Sequence, residues 1–244
     1  MPEKNSTESV RGLISSTQSL GAVDGPGIRF VVFMQGCPLR CVYCHNPETW
    51  DVKGGYEVTA DEILKKALRY KGYFGEDGGI TISGGEALLQ IEFVTEVFRL
   101  CKENNINTAL DTSGIGWSDR VKFDRLLEYT DLVICDIKFT TEQEYKDYTG
   151  GSLKKVIEFL DILGEQNIKL WVRQVIVPGI NDNKEAVKQL KELTGRYDNV
   201  EKIELLPFKK LCISKYENMK LEFKLRDTPE TSDKKIKELY EFME

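Results

Sequence analysis

No apolar run in this 244-residue chain approaches the roughly 20 residues that a membrane-spanning helix needs. The first residues, Met1 to Ser9, carry no apolar core of the kind found in a signal peptide. Together these absences lead us to expect a cytoplasmic protein with no membrane partner. Concentrated positive charge is also missing: the net charge is −6, which argues against a general binder of nucleic-acid backbones. The chain has a single histidine, no second cysteine cluster and no low-complexity linker, so a single domain is expected. In a reducing compartment its six cysteines are better explained as ligands or buried thiols than as disulfides.

What is present is a composition, 41% hydrophobic and 30% charged, that can build a substantial core at this length. Three of the cysteines, Cys37, Cys41 and Cys44, fall within eight positions as C-x3-C-x2-C, directly after the apolar run Phe30 to Met34. Three thiolates on one short loop suit three irons of a 4Fe–4S cube and leave the fourth iron open, because such clusters normally take four. Zinc is a rival, since His45 follows Cys44. Adjacent residues close one tetrahedral site poorly, however, and a paired C-x2-C half-site is missing. Three unrelated core thiols are the third reading, because free cysteine is often buried. The clustering favours iron and sulfur.

The remaining pattern alternates strand and helix. Strands are expected over Phe30 to Met34, Gly79 to Ser83, Asn107 to Asp111, Leu132 to Asp136, Lys169 to Val177 and Lys202 to Leu206. Between them lie helices with caps at Thr59 (a capping box with Glu62), Ser118, Thr141, Ser152 and Asn181 or Asp182. Residues 1–20 read as a loose arm, residues 21–244 as the domain, 209–228 as a long functional loop, and Pro229 as the first turn of a closing helix. Six such units imply parallel strands joined by right-handed crossovers. Unusual residues follow every strand, and in parallel α/β folds those ends form the ligand face. The expected fold is therefore α/β, a partial (β/α)6 TIM-like barrel.

Gly84-Gly85-Glu86 offers bare backbone beside a carboxylate able to meet a ligand ammonium, or a simple strand-to-helix turn. Asp111, Thr112 and Asp136 suit an amino group or a small cation. Strand alternation sets Asp136 with Ile134 and turns Cys135 toward the helices. Lys138 suits a ligand carboxylate or Asp136 itself, and Arg173 a substrate or an ion pair. Tyr43 and Trp50 suit an aromatic ligand or closure of the loop. Cys101 reads as core, and Cys212 has no assigned role.

With Tyr43 before the last cysteine, the triplet resembles that of the radical S-adenosylmethionine superfamily. Within it the chain is most similar to the pyruvate formate-lyase activating enzymes. The likeness rests on Val23-Asp-Gly-Pro-Gly-Ile-Arg-Phe30, Gln35-Gly-Cys37, Tyr43-Cys-His-Asn46, Thr49-Trp-Asp51, Ser83-Gly-Gly-Glu-Ala87, Leu110-Asp-Thr112, Asp136-Ile-Lys138, Val177-Pro-Gly179 and Val200 to Pro207. The resemblance implies a reduced cluster that cleaves S-adenosylmethionine to methionine and a 5′-deoxyadenosyl radical, which takes a hydrogen from a glycine of pyruvate formate-lyase. It places Tyr43, Cys44 and His45 against the nucleoside and Gly85, Asp136, Ile137 and Lys138 at the methionine end. It also offers Asp111, Thr112 and Asp136 to a monovalent cation and sets Asp24 to Gly27 at the partner-facing mouth. A flavodoxin or ferredoxin is the implied reductant, and a monomer the implied state. Where the family commonly has Tyr-His after Leu-Pro, this chain has Phe208-Lys209; the lysine still donates to an S-adenosylmethionine oxygen but cannot stack or accept a proton as imidazole does. Other readings are an activase of a different glycyl-radical enzyme, or an iron–sulfur redox sensor or electron carrier.

After anaerobic reconstitution, Cys37→Ala, Cys41→Ala and Cys44→Ala are each expected to lose bound iron, whereas Cys101→Ala, Cys135→Ala and Cys212→Ala keep it. Iron analysis decides; a full complement in any of the first three would contradict the ligand assignment.

Overall fold

The computed structural model describes residues 9–243. Its strands are β1 (Arg11–Gly21), β2 (Arg29–Met34), β3 (Tyr56–Thr59), β4 (Gly79–Gly84), β5 (Asn107–Thr112), β6 (Leu132–Asp136), β7 (Leu170–Ile176) and β8 (Val200–Pro207). The helices are α1 (Ala60–Tyr70), α2 (Ile91–Glu103), α3 (Arg120–Leu127), α4 (Glu142–Thr149), α5 (Leu153–Glu165), α6 (Lys184–Thr194), α7 (Ile213–Asn218) and α8 (Asp233–Glu241). One eight-stranded sheet runs in the order β3-β1-β2-β4-β5-β6-β7-β8 and stays open, with β3 and β8 at its edges. From β2 through β8 every pairing is parallel, so the six expected strands form the partial barrel.

Two strands were not foreseen. β1 pairs antiparallel with both β2 and β3. The expected arm over residues 1–20 is thus a strand from Arg11 onward, while residues 1–8 lie outside the described residues. Its polar sequence hides this because only Gly12, Ile14 and Gly21 are buried; the pairing rests on backbone bonds to its neighbours. Gly12 has no room for a side chain, since a Cβ there would meet the Phe93 ring at 2.4 Å.

The helices pack outside the sheet on one continuous core that includes Val94, Phe98, Phe123, Leu160 and Cys135. The capping box of α1 forms as expected, with the Glu62 amide donating to the Thr59 hydroxyl at 3.2 Å and the Thr59 amide to the Glu62 carboxylate at 2.8 Å. Other caps shift by a residue or more. Asp119, not Ser118, caps α3, and Val121 is 77% exposed because the inner face is Phe123, Leu126 and Leu127. Asn183 caps α6, while Asn181 latches the preceding turn through the Val177 amide and the Val175 carbonyl. Ser232, not Pro229, opens the closing helix α8.

The barrel interior is different in kind. Its apolar content is small, namely Ala109, Leu132 and Ile134 with Trp171 against them. The turn at Asp24 to Gly27 fills much of the rest from the amino-terminal side of the strands. Asp24 accepts from the Thr81 hydroxyl, Val23 accepts from Arg173, and a Cβ on Gly25 would lie 3.5 Å from Ile134. Arg29 anchors this plug. Fully buried, it donates to Thr81 Oγ1, to the carbonyls of Pro26, Asp77 and Ile80, and to Asn107 Oδ1. Burial draws its pKa down to about 10, so it stays charged at neutral pH. Removing it would strand several buried acceptors. Arg29→Met is expected to lower the unfolding free energy by about 2–4 kcal/mol, read from urea denaturation; an unchanged midpoint would show that the plug does not depend on this cation.

Candidate active site

The cysteine loop leaves β2 through Gly36, whose φ of +95° suits glycine. The loop closes on itself where the Gly36 amide donates to the Thr49 carbonyl at 2.8 Å and Gln35 donates to the carbonyls of Glu48 and Asp51. It is tied to α4 through the amides of Arg40 and Val42, which donate to Thr149 and Tyr148. It is tied to the turn after β4 by the Glu86 amide, which donates to the Gly36 carbonyl at 2.8 Å. Gly85 is required for that approach, because a Cβ there would stand 2.2 Å from the same carbonyl oxygen. The bare backbone expected at Gly85 therefore has a packing cause as well as a place on the cavity wall.

Cys37, Cys41 and Cys44 line one cavity of about 300 Å³. Gly85, Tyr43, His45, Asp111, Thr112, Asp136 and Lys138 line it too, as do Ser83, Ser113, Arg173 and Asp24. Burial pushes the Cys37 thiol up to about 11 and the Cys41 thiol to about 12. Burial raises Cys44 as well, opposed by the Asn46 amide and by the Trp50 indole N–H. Thiols so placed lose their protons to a bound metal rather than to water. Among the described residues no three His, Cys, Asp or Glu side chains converge on a point where a single ion would sit. Three thiols on one loop that face one cavity are a donor set suited to three irons of a cluster.

Opposite the thiols, Lys138 Nζ lies 2.5 Å from Asp136 Oδ2. Burial works against the Lys138 ammonium, but Asp136 outweighs it and holds the group charged, its pKa well above the usual lysine range. Ser83 donates to Asp111 Oδ2 at 2.6 Å. Arg173 donates to Glu204 at 2.9 Å and to the Val23 carbonyl at 2.7 Å, so it is an ion-paired residue that also faces the cavity.

Glu86 differs from expectation. It is 1% exposed and accepts from the Thr112 and Ser113 hydroxyls and from the Ser113 and Leu88 amides. Four donors occupy its carboxylate, so it braces the ends of β4 and β5 rather than meeting a ligand ammonium. Its partner Ser113 escaped sequence reasoning because its place depends on this contact.

The model of the radical SAM superfamily matches residues 31–190. A pyruvate formate-lyase-activating enzyme of Clostridium pasteurianum is 48% identical over 235 residues, which cover 96% of this chain and 98% of that protein. The chain belongs to the pyruvate formate-lyase-activating enzymes of the radical SAM superfamily. A second member, the pyruvate formate-lyase 1-activating enzyme of Escherichia coli K12, is 46% identical over 89% of each chain. At the level of fold alone, a radical SAM methyltransferase from Sphaerobacter thermophilus superposes with a TM-score of 0.61 at 17% identity over 88% of this chain and 63% of that one. A domain of a Bacteroides vulgatus activating enzyme does so at 0.56 and 18% over 68% and 92%. Membership of the superfamily implies a 4Fe–4S cluster and S-adenosylmethionine.

For an activating enzyme, two expected contacts lie off the cavity. The Lys209 side chain is 3.5 Å from Glu230, and its carbonyl accepts from His45 Nε2 at 2.8 Å, which puts the imidazole proton on Nε2. Ile137 is fully buried, its amide donating to Arg173 and its carbonyl accepting from Gln174. The expected loop over 209–228 contains α7, which covers the cysteine loop. Lys215 reaches Asn46 and Glu48, and the Tyr216 hydroxyl donates to the Cys44 carbonyl at 3.2 Å. No periodicity could reveal this cover, because α7 is short and is positioned by its partners.

Burial, reinforced by the Asp136 carboxylate, raises the Asp111 carboxyl from 3.8 to about 6. The folded state thus holds this proton more tightly than the unfolded chain. Its contribution is fully present below about pH 4 and is lost as pH rises through about 6. In buffers free of sodium and potassium, Asp111→Asn is expected to lose less thermal stability than the parent on going from pH 4 to 7; equal losses would place Asp111 in a more solvated setting.

Proposed function

We propose that this chain activates pyruvate formate-lyase under anaerobic conditions by generating an organic radical on one of its glycines. The observation that carries this reading is the convergence of three thiols, a charged lysine and two carboxylates on one cavity. A sensor or electron carrier has no use for such paired charges beside its cluster. When bound, the reduced cluster supplies one electron to S-adenosylmethionine, which yields methionine and 5′-deoxyadenosine while the glycine α-carbon loses a hydrogen atom.

Each side chain contributes in a definite way. Cys37, Cys41 and Cys44 hold three irons and leave the fourth for the amino and carboxylate groups of S-adenosylmethionine. Lys138, kept protonated by Asp136, offers its charge to the methionine carboxylate. The Tyr43 ring, 6.1 Å from Phe139, forms an aromatic wall for the nucleoside, and its buried hydroxyl has no partner within the protein. His45, held by the Lys209 carbonyl, presents Nδ1 on the same side; Lys209 acts through His45 rather than by direct contact. Ile137 supports the ligand from behind the wall. Ser83 and Lys138 engage the Oδ2 atoms of Asp111 and Asp136, leaving the Oδ1 atoms for a monovalent cation. The Thr112 hydroxyl is already taken by Glu86 and Gly114, so that side chain is a brace. A flavodoxin or ferredoxin in the cytoplasm is the electron donor.

Anaerobic reconstitution and reduction with S-adenosylmethionine present is expected to release 5′-deoxyadenosine, and adding pyruvate formate-lyase to give a glycyl signal by electron paramagnetic resonance. No 5′-deoxyadenosine would end the enzyme reading. Its formation without a radical on this partner would redirect the search to another glycyl-radical enzyme.

A further inference from the structure

A second cavity, of about 240 Å³, lies between β1, the cysteine loop and α7, where Ser15, Ser16, Gln18, Glu48 and Lys215 line it. Phe33 and Asn46 line both this cavity and the one that holds the three thiols, so the two are neighbours with a common wall. An irregularity in β1 shapes the second cavity. Ile14 pairs with Met34 and Ser16 with Phe33, so Ser15 is one residue too many for β2 and forms a bulge. Consecutive side chains of a regular strand face opposite ways. The bulge instead brings Ser15 and Ser16 to the same cavity. Beyond it the alternation resumes: Thr17 lines a groove on the outer side with Lys66 and Arg69, and Gln18 returns to the cavity.

The polar groups gathered here are unspent. The side chains of Ser15, Ser16 and Gln18 have no hydrogen-bond partner among the described residues, and Ser16 and Gln18 are exposed. The charges, by contrast, are satisfied internally, because Lys215 Nζ lies 2.5 Å from Glu48 Oε1 and 2.8 Å from Asn46 Oδ1. Two hydroxyls and a carboxamide remain, a set that both donates and accepts and carries no net charge. Such a set suits the N–H and C=O groups of an extended polypeptide better than it suits an ion. We propose that this cavity is the subsite for the polypeptide flanking the reactive glycine of the protein substrate. With that glycine at the thiol cavity, the adjoining residues pass Phe33 and hydrogen-bond to Ser15, Ser16 and Gln18. The inference rests on the proposed function, since only a substrate that is itself a chain has flanking residues to seat beside the reacting carbon.

The test uses full-length protein reconstituted anaerobically to equal iron content and reduced with S-adenosylmethionine present. Glycyl radical formation is followed by electron paramagnetic resonance as the concentration of pyruvate formate-lyase is varied. Ser16→Leu fills the cavity and Gln18→Leu removes its carboxamide. Each is expected to raise the half-saturating concentration of pyruvate formate-lyase about tenfold, with the radical yield recovering at high partner concentration. Thr17→Leu, on the outer face of the same strand, is expected to match the wild type. Unchanged half-saturation in both inner-face variants overturns the assignment, and so does an equal effect of Thr17→Leu, which marks a distorted strand. A yield that stays low at every partner concentration also overturns it, because the loss is then one of chemistry. Gln18→p-benzoylphenylalanine, irradiated with pyruvate formate-lyase, is expected to crosslink to the segment that contains the reactive glycine. Crosslinks confined to other segments overturn the assignment even where the leucine variants fail to fold. Wild-type protein that forms no radical on pyruvate formate-lyase marks failure of the proposed function, which removes this inference with it.

Discussion

Two backbones meet without a side chain between them where the cysteine loop crosses the end of β4, and the site depends on that contact. The Gly36 carbonyl accepts from the Glu86 amide, and the space for a Cβ on Gly85 is already filled. From the same residue the buried Glu86 carboxylate reaches Thr112 and Ser113 at the end of β5. One close approach and one buried carboxylate therefore register the loop that carries the thiols against the strand ends that carry the charges. A larger residue at position 85 would lift the loop off the rim.

The second constraint is electrostatic. A closed barrel usually fills its interior with layers of branched apolar side chains. Here the interior holds Arg29, Asp24, Asp111, Asp136, Lys138 and Arg173, with apolar packing confined to a few residues. Buried charges are tolerated when paired or hydrogen-bonded. Lys138 with Asp136, Arg173 with Glu204 and Arg29 with its several acceptors meet that condition. Asp24 Oδ2 does not, and burial raises its pKa. Stability then comes from the helix-covered face of the sheet, while the inner face is free to be chemical.

Much of this was legible in the chain because it is local. Alternation along β6 alone put Asp136 inward and Cys135 among the helices, and both stand there. Three thiols within eight residues had to share one loop, and six strand ends had to share one rim once the crossovers were right-handed. Helix caps were legible in kind but not in position: Asp119 displaced Ser118 and Asn183 displaced its neighbours, because several residues compete for the same free amides and packing chooses among them.

What needed the folded chain were the contacts made across long sequence separations. β1 is a strand only because β2 and β3 flank it. Glu86 looked available to a ligand until Thr112 and Ser113 claimed it, and the Lys209 ammonium until Glu230 paired with it. The cover formed by α7 joins segments more than 150 residues apart, setting Lys215 against Asn46 and Tyr216 against Cys44 and Trp50. Residue type and spacing determined which atoms could serve as ligands, since that chemistry belongs to each side chain. Only tertiary packing decided which of those atoms remained free to serve, because a donor or acceptor is spent by whatever neighbour the fold brings to it.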